Sequence, residues 1–181
     1  MKRVGHNLVS LLAALLMLSC GKASQEATFA NQETRIASYI DSEVKAGGSF
    51  VDNGGVYRVI KKDEEGTGEA LLASGVVSFY YAAYIFTGSK SYSNMIATNR
   101  KQSAQDAGWD TSDETRFEAL TVGLEESGFV EGLKRGLVGV KADQHADIVF
   151  SGRYGFGNKI YGQVPANAAF LYEIWVVAVT N

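Results

Sequence analysis

Proline is nearly missing from this chain: Pro165 is the only one in 181 residues, and Cys20 is the only cysteine. A single cysteine excludes any disulfide within the chain. Histidine occurs twice, as His6 and His145. With so few thiols and imidazoles, the chain offers no metal cluster of standard spacing and no Cys/His or Ser/His/Asp constellation for nucleophilic catalysis. The carboxylate pairs Glu64-Glu65 and Glu125-Glu126 are chain neighbours in turn-like stretches, the pattern of a solvated face. No Gly-Lys-Ser/Thr phosphate loop occurs. Gly155-Phe156-Gly157 lacks the third glycine and the strand-to-helix context of a dinucleotide fingerprint. The formal net charge of −3 argues against a nucleic-acid partner, which needs a basic surface. If the protein is an enzyme, it reads as one that needs no titrating group.

The first residues read as a targeting segment. Lys2 and Arg3 precede an apolar run from Leu8 to Leu18, too short for a membrane span. The run ends in Leu16-Met17-Leu18-Ser19-Cys20, which reads as a lipobox: a signal peptide over residues 1–19, cleaved before Cys20, which is then lipidated. A plain signal peptide or a buried N-terminal helix is the alternative. Residues 20–52 read as a lipid tether followed by a helix. Gly21 to Ala30 is small and polar, as a tether would be. Asn31 to Lys45 has a helical spacing of Ile36, Tyr39, Ile40 and Val44, with Asn31 as N-cap and Gly47-Gly48 as the stop. This helix packs on the domain or mediates a homodimer.

Residues 53–181 read as one α+β domain of antiparallel strands with one short helix. Val56 to Ile60 is a short strand. Gly75 to Phe86 is the clearest one, with Val77, Phe79, Tyr81, Ala83 and Ile85 on one face and mostly apolar residues on the other. Such a strand is central, or covered on both sides. Gly88 to Arg116 reads as a long irregular segment with one helical turn near Gln102 to Ala107. Strands follow at Phe117 to Val122, Ala142 to Phe150 and Ala169 to Thr180, and a short helix at Phe129 to Leu137. His145 reads as a surface residue. Pro165 suits the approach to the last strand, where its fixed φ and missing N–H do no harm.

Four blocks, in order, resemble the FKBP-type peptidyl-prolyl cis-trans isomerases. They are Val77-Ser78-Phe79-Tyr80-Tyr81-Ala82-Ala83 with Tyr92-Ser93 beyond it; Phe129-Val130-Glu131-Gly132-Leu133; Tyr154-Gly155-Phe156-Gly157; and Val164-Pro165-Ala166-Asn167-Ala168 leading into Tyr172. The resemblance implies an antiparallel sheet wrapped on a short helix, here with an N-terminal helical extension. It implies isomerisation of X-Pro bonds in an apolar pocket, with no cofactor. The implied site residues are Tyr81, Tyr92, Val130, Leu133, Phe156 and Tyr172, with Phe129 and Val164 in substrate binding. Leu133 would be the floor, and the backbone N–H of Val130 would hold a substrate carbonyl. The chain departs from the family pattern at Ser93, where the family has Asp, at Phe156, where it has Tyr, and at Gln163 and Ala166. A catalytically weak chaperone or binding module is therefore the alternative function. The implied partners are proline-containing segments, taken with the targeting segment as those of exported polypeptides. The targeting segment alone gives the expected location: the cell envelope, lipid-anchored at the outer membrane and facing the periplasm.

Overall fold

The computed structural model describes residues 5–181, with side chains described from Gly21 onward. The expected signal peptide over residues 1–19 and the expected lipidation site Cys20 fall outside the residues whose side chains are described. Among the described residues, no helix is long and apolar enough to cross a membrane.

Seven strands form one antiparallel sheet: β1 Ser49–Asp52, β2 Val56–Ile60, β3 Val76–Ile85, β4 Met95–Thr98, β5 Leu120–Gly123, β6 His145–Phe150 and β7 Phe170–Thr180. Their order is β1-β2-β6-β7-β3-β4, and β5 also pairs with β3. The long strands β3 and β7 pair along their whole length. The other edge of β3 is divided: β5 pairs with Val76 to Phe79 and β4 with Ala82 to Tyr84. Asn99 seals the gap between them. Its side chain accepts a hydrogen bond from the Tyr81 N–H (2.6 Å) and donates to the carbonyls of Phe79 (3.3 Å) and Glu118 (3.0 Å). A backbone left unpaired there would sit in a half-buried edge without partners.

As the alternation of β3 implies, both faces of the sheet are covered. Val77 and Phe79 join one core with Phe150, Phe170, Leu133 and Leu137. Ala82, Tyr84 and Phe86 join a second core with Val149, Leu171, Ile36 and Ile40. The first core lies under the short helix α3, Glu131–Leu137. Here the fit is tight. A Cβ on Gly132 would stand 2.5 Å from Phe150 Cγ, and one on Gly136 would overlap Ile148. Only glycine lets the helix backbone come this close to β6. Arg58 caps the end of α3, donating to the carbonyls of Gly136 (3.0 Å), Val138 (2.6 Å) and Gly139 (3.2 Å).

The second face is covered by α1, Gly5–Lys45. The expected tether from Gly21 to Ala30 is helical, and Asn31 is an interior residue rather than an N-cap. Two causes are visible: the stretch is rich in Ala, Gln and Glu, all strong helix formers, and Phe29 is buried under the Arg153 guanidinium. Phe29, Ile36, Tyr39 and Ile40 form the buried stripe, whereas Val44 is exposed.

The segment from Gly88 to Arg116 is also more ordered than its composition implies. It contains β4, α2 (Lys101–Asp106) and single 3-10 turns at Tyr92–Asn94 and from Glu114. The strand escapes sequence patterning because it is four residues long and pairs on one edge only.

A charge cluster lies between α1 and the sheet. Asp147 on β6 is fully buried, 2.5 Å from Lys61 and hydrogen-bonded by the Tyr39 hydroxyl; Lys61 also meets Glu43 at 2.9 Å. A buried carboxylate without such partners would cost several kcal/mol. Burial alone would lower Lys61, but Asp147 and Glu43 outweigh it and hold the ammonium above its ordinary pKa. His145 is not a free surface residue. It stacks on Trp175 (ring centroids 4.9 Å apart) and meets the Glu173 carboxylate at 3.0 Å.

Candidate active site: an aromatic cavity between sheet and helix

A cavity of about 510 Å3 opens between β3, β4, α3 and the segment from Gly152 to Asn167. Aromatic side chains build most of its wall. Tyr81 stands next to Tyr172 (6.4 Å between centroids) and Phe79 (6.1 Å), and Phe129 meets Phe79 edge-on at 6.1 Å. Tyr172 stacks on Phe150, which in turn sits under α3. Opposite, Phe156 stacks on Tyr161 at 4.9 Å and meets Phe170 edge-on. The strand period explains the convergence: Phe79, Tyr81 and Ala83 are alternate residues on β3, so all three face the same side.

Val130, Leu133 and Val164 complete the expected set. Val130 is the N-cap residue of α3, with an extended backbone (φ −60°, ψ 150°). Its carbonyl accepts from Lys134, but its own N–H has no protein acceptor among the described residues. Leu133, one turn into α3, is 4% exposed and lines the cavity from the helix side.

The lining contains no Asp, Glu, Lys, Arg or His. Among the described residues the ionisable lining groups are tyrosines, and burial acts on two of them. Burial pushes the Tyr81 phenol above its ordinary pKa. Burial first, and then the neighbouring Tyr81, push Tyr172 up to about 12. No proton donor or acceptor of ordinary strength faces the cavity near neutral pH. What it offers is an apolar space with ample room for a five-membered ring and its neighbours, and a spare N–H beside it.

Tyr92 is not part of this site. It lies on the turn before β4, 47% exposed, with its hydroxyl donating to Asp106 (3.0 Å). On that side of the cavity the lining residues are Ile96 and Ala97 of β4, with Ala97 paired to Ala83. The pairing shifts register between Ala83 and Tyr84. Counting residues along the loop therefore missed the strand. Ser93 is not among the lining residues, and the side chain of Ala97 brings no polar group to that wall. Sequence reasoning also missed Phe79, Leu120 and Tyr161. Tyr161 carried a signal: Ile160-Tyr161 is an apolar pair inside an otherwise polar, glycine-bearing loop.

Residues 76–177 match the sequence model of the FKBP-type peptidyl-prolyl cis-trans isomerases. The chain belongs to this family. It is 21% identical over 109 residues to FK506-binding protein 1 of Aspergillus oryzae, covering 60% of this chain and 86% of that protein. Its fold is similar to that of FkpA from Escherichia coli, with a TM-score of 0.57 and 20% identity over 99% of this chain and 74% of the other. It is also similar to a peptidyl-prolyl cis-trans isomerase of Pseudomonas syringae, with a TM-score of 0.58 and 16% identity over 86% of this chain and 96% of that one. FKBP-type isomerases act on the bond preceding proline, and the protein is an enzyme of that kind. An active centre without acid–base groups is consistent with that reaction, in which no bond is broken.

Proposed function

We propose that this FKBP-type isomerase accelerates cis-trans exchange of X-Pro bonds in exported polypeptides by seating the prolyl ring in the aromatic cavity. The observation that carries the reading is the lining itself: aromatic and aliphatic walls, no charged side chain, and the Val130 N–H without a protein acceptor. Rotation about an X-Pro bond has a barrier of about 20 kcal/mol because amide resonance is lost in the twisted state. The twisted amide is less dipolar than the planar one, so an apolar surround disfavours the planar ground state. Leu133 supports the ring from below. The Val130 N–H holds a neighbouring carbonyl, which fixes the orientation in which rotation proceeds. Tyr81 and Tyr172 close the sides.

The test is the exchange rate of an X-Pro peptide with native protein, Tyr81→Ala and Leu133→Asp. We expect acceleration by the native chain and about a tenfold loss or more in each variant, with circular dichroism confirming the fold. Native protein that is folded and accelerates nothing would defeat the reading. A second reading then stands, that of a chaperone or binding module. It draws on Phe156, which has no hydroxyl where the family pattern has Tyr, and on Ser93, which stands where that pattern has Asp and is not among the cavity-lining residues. It predicts suppression of aggregation without isomerisation.

The cellular setting is part of the same proposal. The lipobox-like run ending at Cys20 supports a lipid anchor, a cell-envelope location at the outer membrane facing the periplasm, and exported chains as substrates. A homodimer through α1 belongs to this proposal too, and sizing of residues 21–181 against 47–181 reads it.

A further inference from the structure

The segment from Gly152 to Asn167 supplies Phe156, Tyr161, Gln163 and Val164 to the cavity, yet it belongs to neither the sheet nor α3. Its two ends come together at a narrow neck. A Cβ on Gly152 would stand 2.5 Å from the Asn167 carbonyl carbon, so the two backbones are in direct contact. Inside the neck, the Asn167 N–H donates to the Gly157 carbonyl at 2.6 Å. Asn167 itself adopts the left-handed conformation, φ 58°. This is the geometry of a compact loop with adjoining ends.

One side chain from outside the loop ties both ends. Gln32 on α1 accepts a hydrogen bond from the Gly152 N–H (2.9 Å) and donates to the Asn167 carbonyl (2.6 Å). An amide side chain is suited to this, having one acceptor and one donor side by side. Gln25, two turns earlier, donates to the Asn167 side chain at 2.8 Å. Glu26 holds Arg153 with two hydrogen bonds (2.7 and 3.3 Å). That pair is exposed and contributes little by itself. Gln32 is half-buried, and its partners are backbone groups at the loop's root.

We propose that Gln32 is a positioning residue for the isomerase site: it clamps the neck of the 152–167 loop and so sets the place of the Phe156–Tyr161 wall. The inference rests on the isomerase reading of the cavity. It gives α1 a role in substrate binding although none of its residues from Gly21 onward lines the cavity. The chain from Phe156 to the clamp is short, because Gly157, the next residue, is the acceptor for Asn167.

The test compares native protein with Gln32→Met, which keeps the length of the side chain and loses both hydrogen bonds, and Gln32→Glu, which keeps only the acceptor. A loosened wall weakens binding of the ground and transition states alike, so KM for an X-Pro peptide should rise, about fivefold in Gln32→Met and less in Gln32→Glu, with kcat unchanged. A merely structural loss would instead lower kcat through a smaller active fraction and leave KM alone. Val59→Ala, which thins the second core without touching the loop, is the control and should leave KM unchanged below its unfolding temperature. Hydrogen exchange provides a readout independent of activity. Amides at Gly152 and across the loop should exchange about tenfold faster in Gln32→Met, while those of β6 and β7 do not change. An unchanged KM with unchanged exchange at Gly152, or a loss confined to kcat, overturns the proposal. Native protein that isomerises nothing would defeat the isomerase reading alone; exchange at Gly152 would still decide whether Gln32 holds the wall.

Discussion

Replacing Gly136 with alanine sets two effects against each other. In a helix interior, alanine is favoured over glycine by about 1 kcal/mol. The new methyl would overlap Ile148 Cγ2 and stand 3.0 Å from its Cγ1 and Cδ1. Ile148 is fully buried between α3 and the sheet, so it has nowhere to retreat. Over-packing of this kind costs about 1–3 kcal/mol, and with three atoms of one side chain inside contact distance the upper end applies. The net expectation is a destabilisation of about 2 kcal/mol, or about 1 M in urea midpoint for a slope near 2 kcal/mol per M. Trp109 and Trp175 give the fluorescence signal. Ile148→Ala alone should cost about 3 kcal/mol through the space it leaves. In the double variant the added methyl occupies part of that space, so the combined cost should be nearer 3 than 5 kcal/mol. The single variant should also lower kcat/KM, because α3 carries Val130 and Leu133. A neutral or stabilised Gly136→Ala, or strictly additive costs, would refute the claim that backbone contact seats α3 on β6.

The corrected wall predicts that Tyr92→Phe leaves kcat/KM for an X-Pro peptide unchanged, whereas Ile96→Ala lowers it; the same peptide assay reads both. Glu173 predicts an acid limb in stability. Burial would raise its carboxyl, but the hydrogen bond and charge of His145, with Lys90 at 2.7 Å, hold it at about 2 against an ordinary 4.5. Its folded pKa is depressed, so its contribution is complete above the ordinary value and is lost as pH falls from 4.5 towards 2. Urea midpoints across that window should fall less steeply in Glu173→Gln than in the native chain.

The elements legible in the sequence are those whose burial alternates. β3 shows its two faces in Val77 to Phe86, and α3 shows its stripe in Leu133 and Leu137. β1 is exposed at all four residues, so no periodicity marks it. The helicity of Gly21 to Ala30 was hidden because Phe29 is the single large apolar anchor in that stretch. Asp147 and Lys61 were invisible for a related reason: a buried pair looks the same in sequence as a solvated one. In the site, Tyr81, Phe129, Val130, Leu133, Phe156, Val164 and Tyr172 converge, as the resemblance of four blocks implied; only Tyr81, Leu133 and Tyr172 stand on a strand or helix, and the others lie on connecting segments. Tyr92 failed where the chain leaves regular structure and shifts register. Gln32 could not be read at all, because its partners are backbone groups more than a hundred residues away.

The divided edge of β3 has a consequence for how this protein can vary. The chain leaves the edge after β4 and returns to it at β5, and Asn99 fastens the two departure points together. The excursion from Arg100 to Phe117 is thus closed at its root whatever its length. Doubling a loop of this type costs only about 0.6 kcal/mol in closure entropy. Lineages could lengthen, shorten or exchange this appendage, and engineers could splice a guest domain into its tip, without disturbing the hydrogen-bonded frame beneath.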